Sequence, residues 1–330
     1  MDTCILAIAG SDSCGGAGIQ ADIKTAQGLG VHAACAVTCV TAQNTCSFDA
    51  AALVDPAVIA AQIKSVAADL PIGAVKVGML GSPEAAIAVA AALQELRAAN
   101  PNLPVVVATV TAATTDRAGA REVVGRAICR HLVPMATLVT PNLPEAQLMG
   151  GFCQQILSGA TTADNNVVPV PEHASSDVLA AWAARSMIAA GAKAVLVKGG
   201  HGNGETVRDL LFGTAEDLAL SVTSPLVEER CVGDDPQEAE SADCEPHVPV
   251  ARVMVGPGSR DAHLSRPIAY DALRLPGEFH GTGCVLSTAI ACGLARGLEL
   301  PRAIGDAHAL LHAALEHPLP LGHGSHLIQP

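Results

Sequence analysis

The sequence predicts an α/β fold of three layers, with a mostly parallel central sheet and helices on both faces. Two observations carry this. Short apolar runs alternate with stretches of helical periodicity from Thr3 to Lys198, and most of the runs end on glycine or a polar turn. The 330 residues are 50% hydrophobic yet include only four Phe, one Tyr and one Trp, so the core must be built from Ala, Val, Leu and Ile, which suits helices packed closely on strands. A single domain over 1–330 is expected, with an acidic insertion at about 214–265.

Thr3 to Ala9 is an apolar run bounded by Gly10, long enough for a buried strand and too short for a core helix. The loop Gly10-Ser11-Asp12-Ser13-Cys14-Gly15-Gly16-Ala17-Gly18 then enters a helix through Ile19 to Ile23 that closes at Gly28-Leu29-Gly30, starting a βαβ unit. The loop lacks the dinucleotide spacing Gly-x-Gly-x-x-Gly, and no Gly-Lys pair exists for a Walker loop. Asp22, about one turn past the glycines, faces either the same crevice or solvent. Ala34 to Thr41 reads as the second strand and ends at Gln43-Asn44-Thr45. Strand ends of open parallel sheets hold ligands, and the amide of Gln43, donor and acceptor at once, suits the edge of a heterocyclic ring or water.

Ala74 to Leu80 repeats the strand-then-glycine pattern, and Ser82-Pro83-Glu84 caps an Ala-rich helix to about Asn100. Pro104 to Val110 is another buried strand, followed by a Thr-rich loop, 111–115, and Asp116. A helix is expected from about Ala120 to Leu132. Ala136 to Thr140 leads into Pro141-Asn142-Leu143-Pro144-Glu145 at the mouth of the next helix, where the Glu145 carboxylate either offsets the helix dipole or holds a hydrated cation. Residues 151–174 show no pattern and are expected as a surface excursion. Ser176-Asp177 caps a helix ending near Gly191, and Ala194 to Lys198 is a strand closed by Gly199-Gly200-His201.

From Thr214 to about Ser265 the alternation stops. Eight acids and one base lie between Leu226 and Pro246, without periodicity, which predicts a mostly disordered insertion. Order resumes at Ile268 to Leu273. Phe279-His280-Gly281-Thr282-Gly283-Cys284 then runs straight into Val285, Leu286, Ala289 and Ile290 at helical spacing, a tight turn feeding a helix. The first N–H groups of a helix have no internal partners and sit at the positive end of its dipole, so they suit a phosphate. The same field favours a thiolate, making Cys284 a candidate proton acceptor or nucleophile, with a buried thiol as the alternative. Two helices, Cys284 to about Arg296 and Pro301 to about Glu316, end the chain. His308 and His312 lie a helical turn apart, but no third ligand is placed for zinc. The Gly-His-Gly-Ser-His tail is expected to be exposed.

A formal charge of −13 with few aromatics excludes nucleic acid and anionic membrane as partners. No apolar run approaches the ~18–20 residues of a membrane helix, and Met1-Asp2-Thr3 lacks the positive flank of a signal peptide. Eleven cysteines without a Cys-x-x-Cys pair read as small buried hydrophobes in a reducing compartment, so a cytoplasmic protein is expected.

Six loops, in order along the chain, resemble those of the hydroxymethylpyrimidine and phosphomethylpyrimidine kinases of thiamin biosynthesis, which have a ribokinase-like fold. They are Ala9 to Asp12 with Gly15 to Asp22, Ala42-Gln43-Asn44-Thr45, Val77-Gly78-Met79-Leu80, Thr140 to Glu145, Val197 to His201, and His280 to Cys284. The resemblance implies transfer of the γ-phosphoryl group of ATP, with Mg²⁺, to a pyrimidine hydroxymethyl and then to the resulting monophosphate, by a homodimer. It implies that Asp22, Gln43, Met79 and Gly10 surround the pyrimidine and that Lys198 lies on the nucleotide side. Asn142 and Glu145 would help hold the phosphates and Mg²⁺, with Glu145 on the metal. Cys284 would take the hydroxyl proton while Gly281, Thr282 and Gly283 offer N–H groups to the phosphate. One departure bears on the metal: the family pattern Asp-Pro-Val-Met is Ala108-Thr109-Val110-Thr111 here, and the Ser-Gly-Asp loop is Thr114-Thr115-Asp116. Pyridoxal or pyridoxine kinase, and a pyrimidine-binding pseudokinase, are the competing readings.

Overall fold

The computed structural model describes residues 4–110, 120–159, 175–200, 204–214, 216–218, 251–253 and 266–330. In chain order its elements begin with β1 (Cys4–Asp12), α1 (Gly18–Gly28), β2 (His32–Gln43), β3 (Phe48–Leu53), α2 (Pro56–Ala67), β4 (Ile72–Val77), α3 (Pro83–Ala99) and β5 (Val105–Val107). Then come α4 (Ala120–His131), β6 (Leu138–Val139), α5 (Leu143–Ser158), α6 (Ser176–Ala189), β7 (Ala194–Val197) and β8 (Thr206–Gly213). The chain finishes with β9 (Ala251–Val253), β10 (Ile268–Leu273), β11 (Phe279–His280), α7 (Thr282–Ala295), α8 (Leu300–Glu316) and β12 (His326–Leu327).

Among the described residues, ten strands form one sheet in the order β3-β2-β1-β4-β5-β6-β7-β8-β10-β9. The centre, from β2 through β7, is parallel throughout. Such strands are covered on both faces, and accordingly Val105 to Val107 and Ala194 to Val197 are buried at every position. Side chains alternate between the faces: Leu6 and Ile8 join the core under α2 to α6, while Ile5 joins the core under α1, α7 and α8. This is the three-layer α/β architecture that the alternation predicts. The outer pairings β2–β3, β7–β8, β8–β10 and β10–β9 are antiparallel.

Several elements differ from the sequence reading. Residues 151–158, expected as an excursion, continue α5, because the helix starts from a complete capping box and carries Phe152 and Cys153 into the core. The cap of α6 is Ser175, whose hydroxyl accepts from Val178 N, one residue earlier than expected. β3 and α2 carry weak signals. The first is an Ala-rich, exposed edge strand, and the second is marked chiefly by Asp55-Pro56, where the Asp55 carboxylate accepts from Ala57 N. Within the acidic stretch, Ala251–Val253 pairs with β10 as the sheet's last strand; most of that stretch, like the loop with Asp116, lies outside the described residues. The histidine-rich tail is exposed at every position from Gly322 to His326 except Ser325, as expected, and is also held in place. His323 N and Gly324 N donate to Thr45 Oγ1, Ser325 N donates to Thr45 O, and β12 pairs with β11 beside the glycine turn. Among the described residues no helix is long and apolar enough to cross a membrane.

Candidate active site

Parallel strands carry their loops to one edge, and there β1, β2 and β4 end around a cavity of about 160 Å³. Its walls include Gly10 and Asp12 from β1, Thr41 and Gln43 from β2, Met79 just past β4, and Cys284 from α7. Four residues expected in the site, Gly10, Gln43, Met79 and Cys284, thus meet in one space. The close approach at Gly10 needs glycine: a Cβ there would lie 2.7 Å from both Cys39 Sγ and Met79 Cε.

Gly281 is the N-cap of α7 and has φ +85°, a left-handed conformation in which a Cβ would meet the Gly16 carbonyl oxygen at 1.8 Å. Glycine alone lets the turn close against the Gly15-Gly16-Ala17 loop. The first helical bond of α7 runs from Val285 N to Gly281 O, so the N–H groups of Thr282, Gly283 and Cys284 precede the helical ladder at the positive end of its dipole. Lys198 converges on the same point, since a Cβ on Gly283 would stand 3.3 Å from Lys198 Nζ. A helix N-terminus with an ammonium beside it is an anion site.

Asn142 and Glu145 form the capping box of α5. Glu145 N donates to Asn142 Oδ1 at 2.8 Å, and Glu145 Oε2 accepts from Asn142 N at 2.9 Å and from Thr109 Oγ1 at 2.9 Å. Asn142 also bridges to Lys198 across β6 and β7, which brings this helix end beside the lysine. The carboxylate of Glu145 keeps Oε1 outside these bonds.

Asp22, expected against the ligand ring, is 0% exposed and is not among the residues that line the cavity. Its oxygens accept from Lys76 Nζ at 2.7 and 2.8 Å, and Oδ1 accepts from Thr288 Oγ1 at 2.7 Å. A fully buried ion pair of this kind is tolerated because the remaining carboxylate capacity is met by a hydroxyl.

Asp12 and His280 lie in two of the loops that carry the family resemblance, and the structure brings them together. Asp12 is 2% exposed, yet its carboxylate accepts from the backbone N–H of Cys14, Gly16 and Ala17 and lies 3.0 Å from His280 Nε2. Burial opposes its ionisation, but the His280 ring and these N–H groups outweigh burial and hold the carboxyl well below the usual carboxylate range. A second, larger groove of about 580 Å³, lined by Gln154, Leu157, Val178 and Trp182, lies on the α5–α6 surface and is chiefly hydrocarbon. His308, weighed as a metal ligand, is instead stacked on Tyr270 with Nε2 3.1 Å from Asp209 Oδ2, at an angle poor for a hydrogen bond.

A small cavity at the strand ends, walled by the start of a helix that has a lysine beside it, suits a small-molecule phosphotransferase. The chain belongs to the phosphomethylpyrimidine kinase family, whose model matches residues 12–233 and 265–329. It is 34% identical over 315 residues to a hydroxymethylpyrimidine/phosphomethylpyrimidine kinase of Rhizobium meliloti, covering 96% of this chain and 91% of that protein. Among solved structures, phosphomethylpyrimidine kinase from Clostridium difficile superposes with a TM-score of 0.60 at 25% identity, covering 94% of this chain and 100% of that one. Pyridoxal kinase from Staphylococcus aureus in complex with pyridoxal superposes with a TM-score of 0.68 at 22% identity, covering 99% and 93%, a likeness that bears on the fold alone.

Proposed function

We propose that the chain phosphorylates 4-amino-5-hydroxymethyl-2-methylpyrimidine and then its monophosphate with ATP, as a single-domain, cytoplasmic homodimer in thiamin biosynthesis. The observation that carries this reading is the placing of Cys284 and the turn Gly281-Thr282-Gly283 at the mouth of the cavity that Gln43 and Met79 line. Gln43 reads the edge of the aminopyrimidine with its amide, and Met79 packs on the ring. Cys284 Sγ takes the hydroxyl proton, the freed oxygen bonds to the γ-phosphorus, and the bond to the β–γ bridging oxygen breaks to release ADP. The N–H groups of Thr282, Gly283 and Cys284, with the Lys198 ammonium, receive the charge that gathers on the transferring group.

Mg²⁺ takes one or two carboxylates together with phosphate oxygens and water. The residues fit this minimally: Glu145 has one oxygen outside its capping bonds, and Asn142 stands beside it. Glu145 would hold the ion, and the ion would neutralise phosphate charge. The test is ADP release by purified protein with Mg²⁺-ATP and, in turn, the hydroxymethylpyrimidine, its monophosphate and pyridoxal. Release with the first two supports the assignment. Release with pyridoxal alone, or with none of the three despite tight pyrimidine binding by calorimetry, overturns it in favour of a pyridoxal kinase or a pseudokinase.

A further inference from the structure

Asp209 is the one charged residue in the buried part of β8, and it is 4% exposed. A buried carboxylate is retained only where its oxygens are matched. Oδ1 accepts from Gly199 N at 2.7 Å, just past the point where the ladder between β7 and β8 ends at Val197 and Leu210. Oδ2 lies 3.1 Å from Nε2 of His308, itself 7% exposed on α8. Tyr270, directly opposite Asp209 on β10, stacks on the His308 ring and donates to Pro301 O at 3.0 Å, so the carboxylate is walled in by groups that are themselves held. The turn Lys198-Gly199-Gly200 is in turn gripped at every residue. Lys198 N donates to Pro141 O at 2.8 Å, Gly199 N donates to Asp209, and Gly200 O accepts from Arg274 Nη1 at 2.8 Å. Gly199 lies so close on β8 that a Cβ there would collide with Arg208 O.

We propose that Asp209 is the positioning residue for Lys198: through the Gly199 N–H it fixes the turn that carries the ammonium to the start of α7. His308 and Tyr270 hold Asp209, and Arg274 holds the far side of the turn. The proposal rests on the reading of Lys198 as the ammonium that meets the phosphate charge. A lysine is a point charge on a flexible stem, so the backbone from which the stem leaves decides how often the charge stands where it is needed. That place is the first turn of α7, where a Cβ on Gly283 would lie 3.3 Å from Lys198 Nζ. His308 then serves the site through Asp209, without a metal ion.

The test is calorimetric titration of the full chain with Mg²⁺ and AMP-PNP, an ATP analogue that resists transfer. Asp209→Ala is expected to weaken binding about tenfold, as a misplaced charge does. Asp209→Asn keeps an oxygen for Gly199 N and should stay within about threefold of wild type. Because Asp209 acts through the lysine, Asp209→Ala/Lys198→Met should bind no more weakly than Lys198→Met alone. In turnover, KM for ATP should rise in Asp209→Ala while KM for the hydroxymethylpyrimidine stays unchanged. A merely structural role would weaken both ligands and add to the loss in Lys198→Met. Arg274→Met, which frees the other side of the turn, serves if Asp209→Ala does not fold, and should weaken binding about threefold. Unchanged nucleotide affinity in the folded variant, or a double variant weaker than Lys198→Met, overturns the proposal. Binding needs no turnover, so a wild-type chain that binds the nucleotide and phosphorylates no pyrimidine defeats the kinase reading and leaves the role of Asp209 decided by these affinities. A wild-type chain that binds no nucleotide defeats both.

Discussion

His280 Nε2 lies 3.0 Å from Asp12 Oδ2, joining the end of the first strand to the glycine turn across a sequence separation of 268 residues. Both residues line the cavity, so this contact ties the glycine turn to the loop that leads into α1.

Asp12→Asn should therefore loosen the turn. The side chain keeps its shape but loses the charge that organises the N–H groups of Cys14, Gly16 and Ala17, a cost of about 1–3 kcal/mol for charge-assisted bonds. The sign of the pH dependence follows from the depressed carboxyl: its contribution is present above the ordinary aspartate range and is lost only as pH falls through the lowered value. The melting-temperature difference between wild type and variant should stay constant from about pH 7 to about pH 5 and close only below about pH 4. A difference that already closes by pH 6 would rule out this account.

Cys284→Ala separates the two transfers. The hydroxymethyl group must lose a proton to become a nucleophile, and general bases contribute about 10²–10⁴-fold. A phosphate monoester with a second pKa of ~6 is already mostly a dianion at neutral pH. ADP release with the hydroxymethylpyrimidine should fall by about a hundredfold or more, whereas release with the monophosphate should fall by about tenfold or less. Equal losses in the two assays would take the proton-acceptor role from Cys284.

The sequence shows the sheet plainly because its central strands are short apolar runs punctuated by glycine, and these features depend on neighbours close in the chain. The glycine turn feeding α7 was legible for the same reason: Gly281, Gly283 and the apolar residues of α7 lie within one stretch. Contacts between distant elements were not legible. Asp22 one turn past a glycine loop looks the same from sequence whether it meets a ligand or Lys76, and the choice is made by β4 passing beneath α7. A usable signal existed in the lone lysine between Val75 and Val77, since a charge in a buried strand demands a partner. The same limit explains the tail, whose glycines mark it as loop but whose partner, Thr45, lies 278 residues away.

Gln43→Ala tests ring recognition. Gln43 reaches the cavity at the end of β2, with its backbone pinned by Ser13, whose hydroxyl donates to Gln43 O at 2.6 Å and accepts from Gln43 N at 2.8 Å. Loss of the amide should raise KM for the hydroxymethylpyrimidine by about 5- to 150-fold, corresponding to about 1–3 kcal/mol for unmatched polar groups, with a smaller effect on kcat. Steady-state kinetics at saturating ATP gives the split, and an unchanged KM would place the ring elsewhere.

The homodimer prediction falls on β3, an edge strand whose residues are exposed from Asp49 to Leu53. Leu53 is 58% exposed, and Val40 on the neighbouring strand is 52% exposed, an open edge that a second copy would cover. Leu53→Lys should shift sedimentation velocity from dimer towards monomer. A wild-type chain that sediments as a monomer at micromolar concentration would end this prediction.

Ala108→Asp tests the metal side of the proposed site. Ala108 is 3% exposed, its N–H donates to Val77 O, and its neighbour Thr109 bonds Glu145 Oε2. A carboxylate introduced there by Ala108→Asp would stand next to Thr109, which bonds Glu145, in a buried position where an unpaired charge costs several kcal/mol. The variant should accordingly melt lower than wild type without Mg²⁺ and regain part of the loss when Mg²⁺ and nucleotide are added, because an ion that binds only the folded state stabilises it. If Glu145 alone holds the ion weakly, the Mg²⁺ concentration for half-maximal ADP release should fall several-fold in the variant. If that concentration is unchanged while the melting temperature still responds to Mg²⁺, Glu145 and the nucleotide phosphates already complete the coordination, and Ala108 is a neutral replacement rather than a lesion in the site.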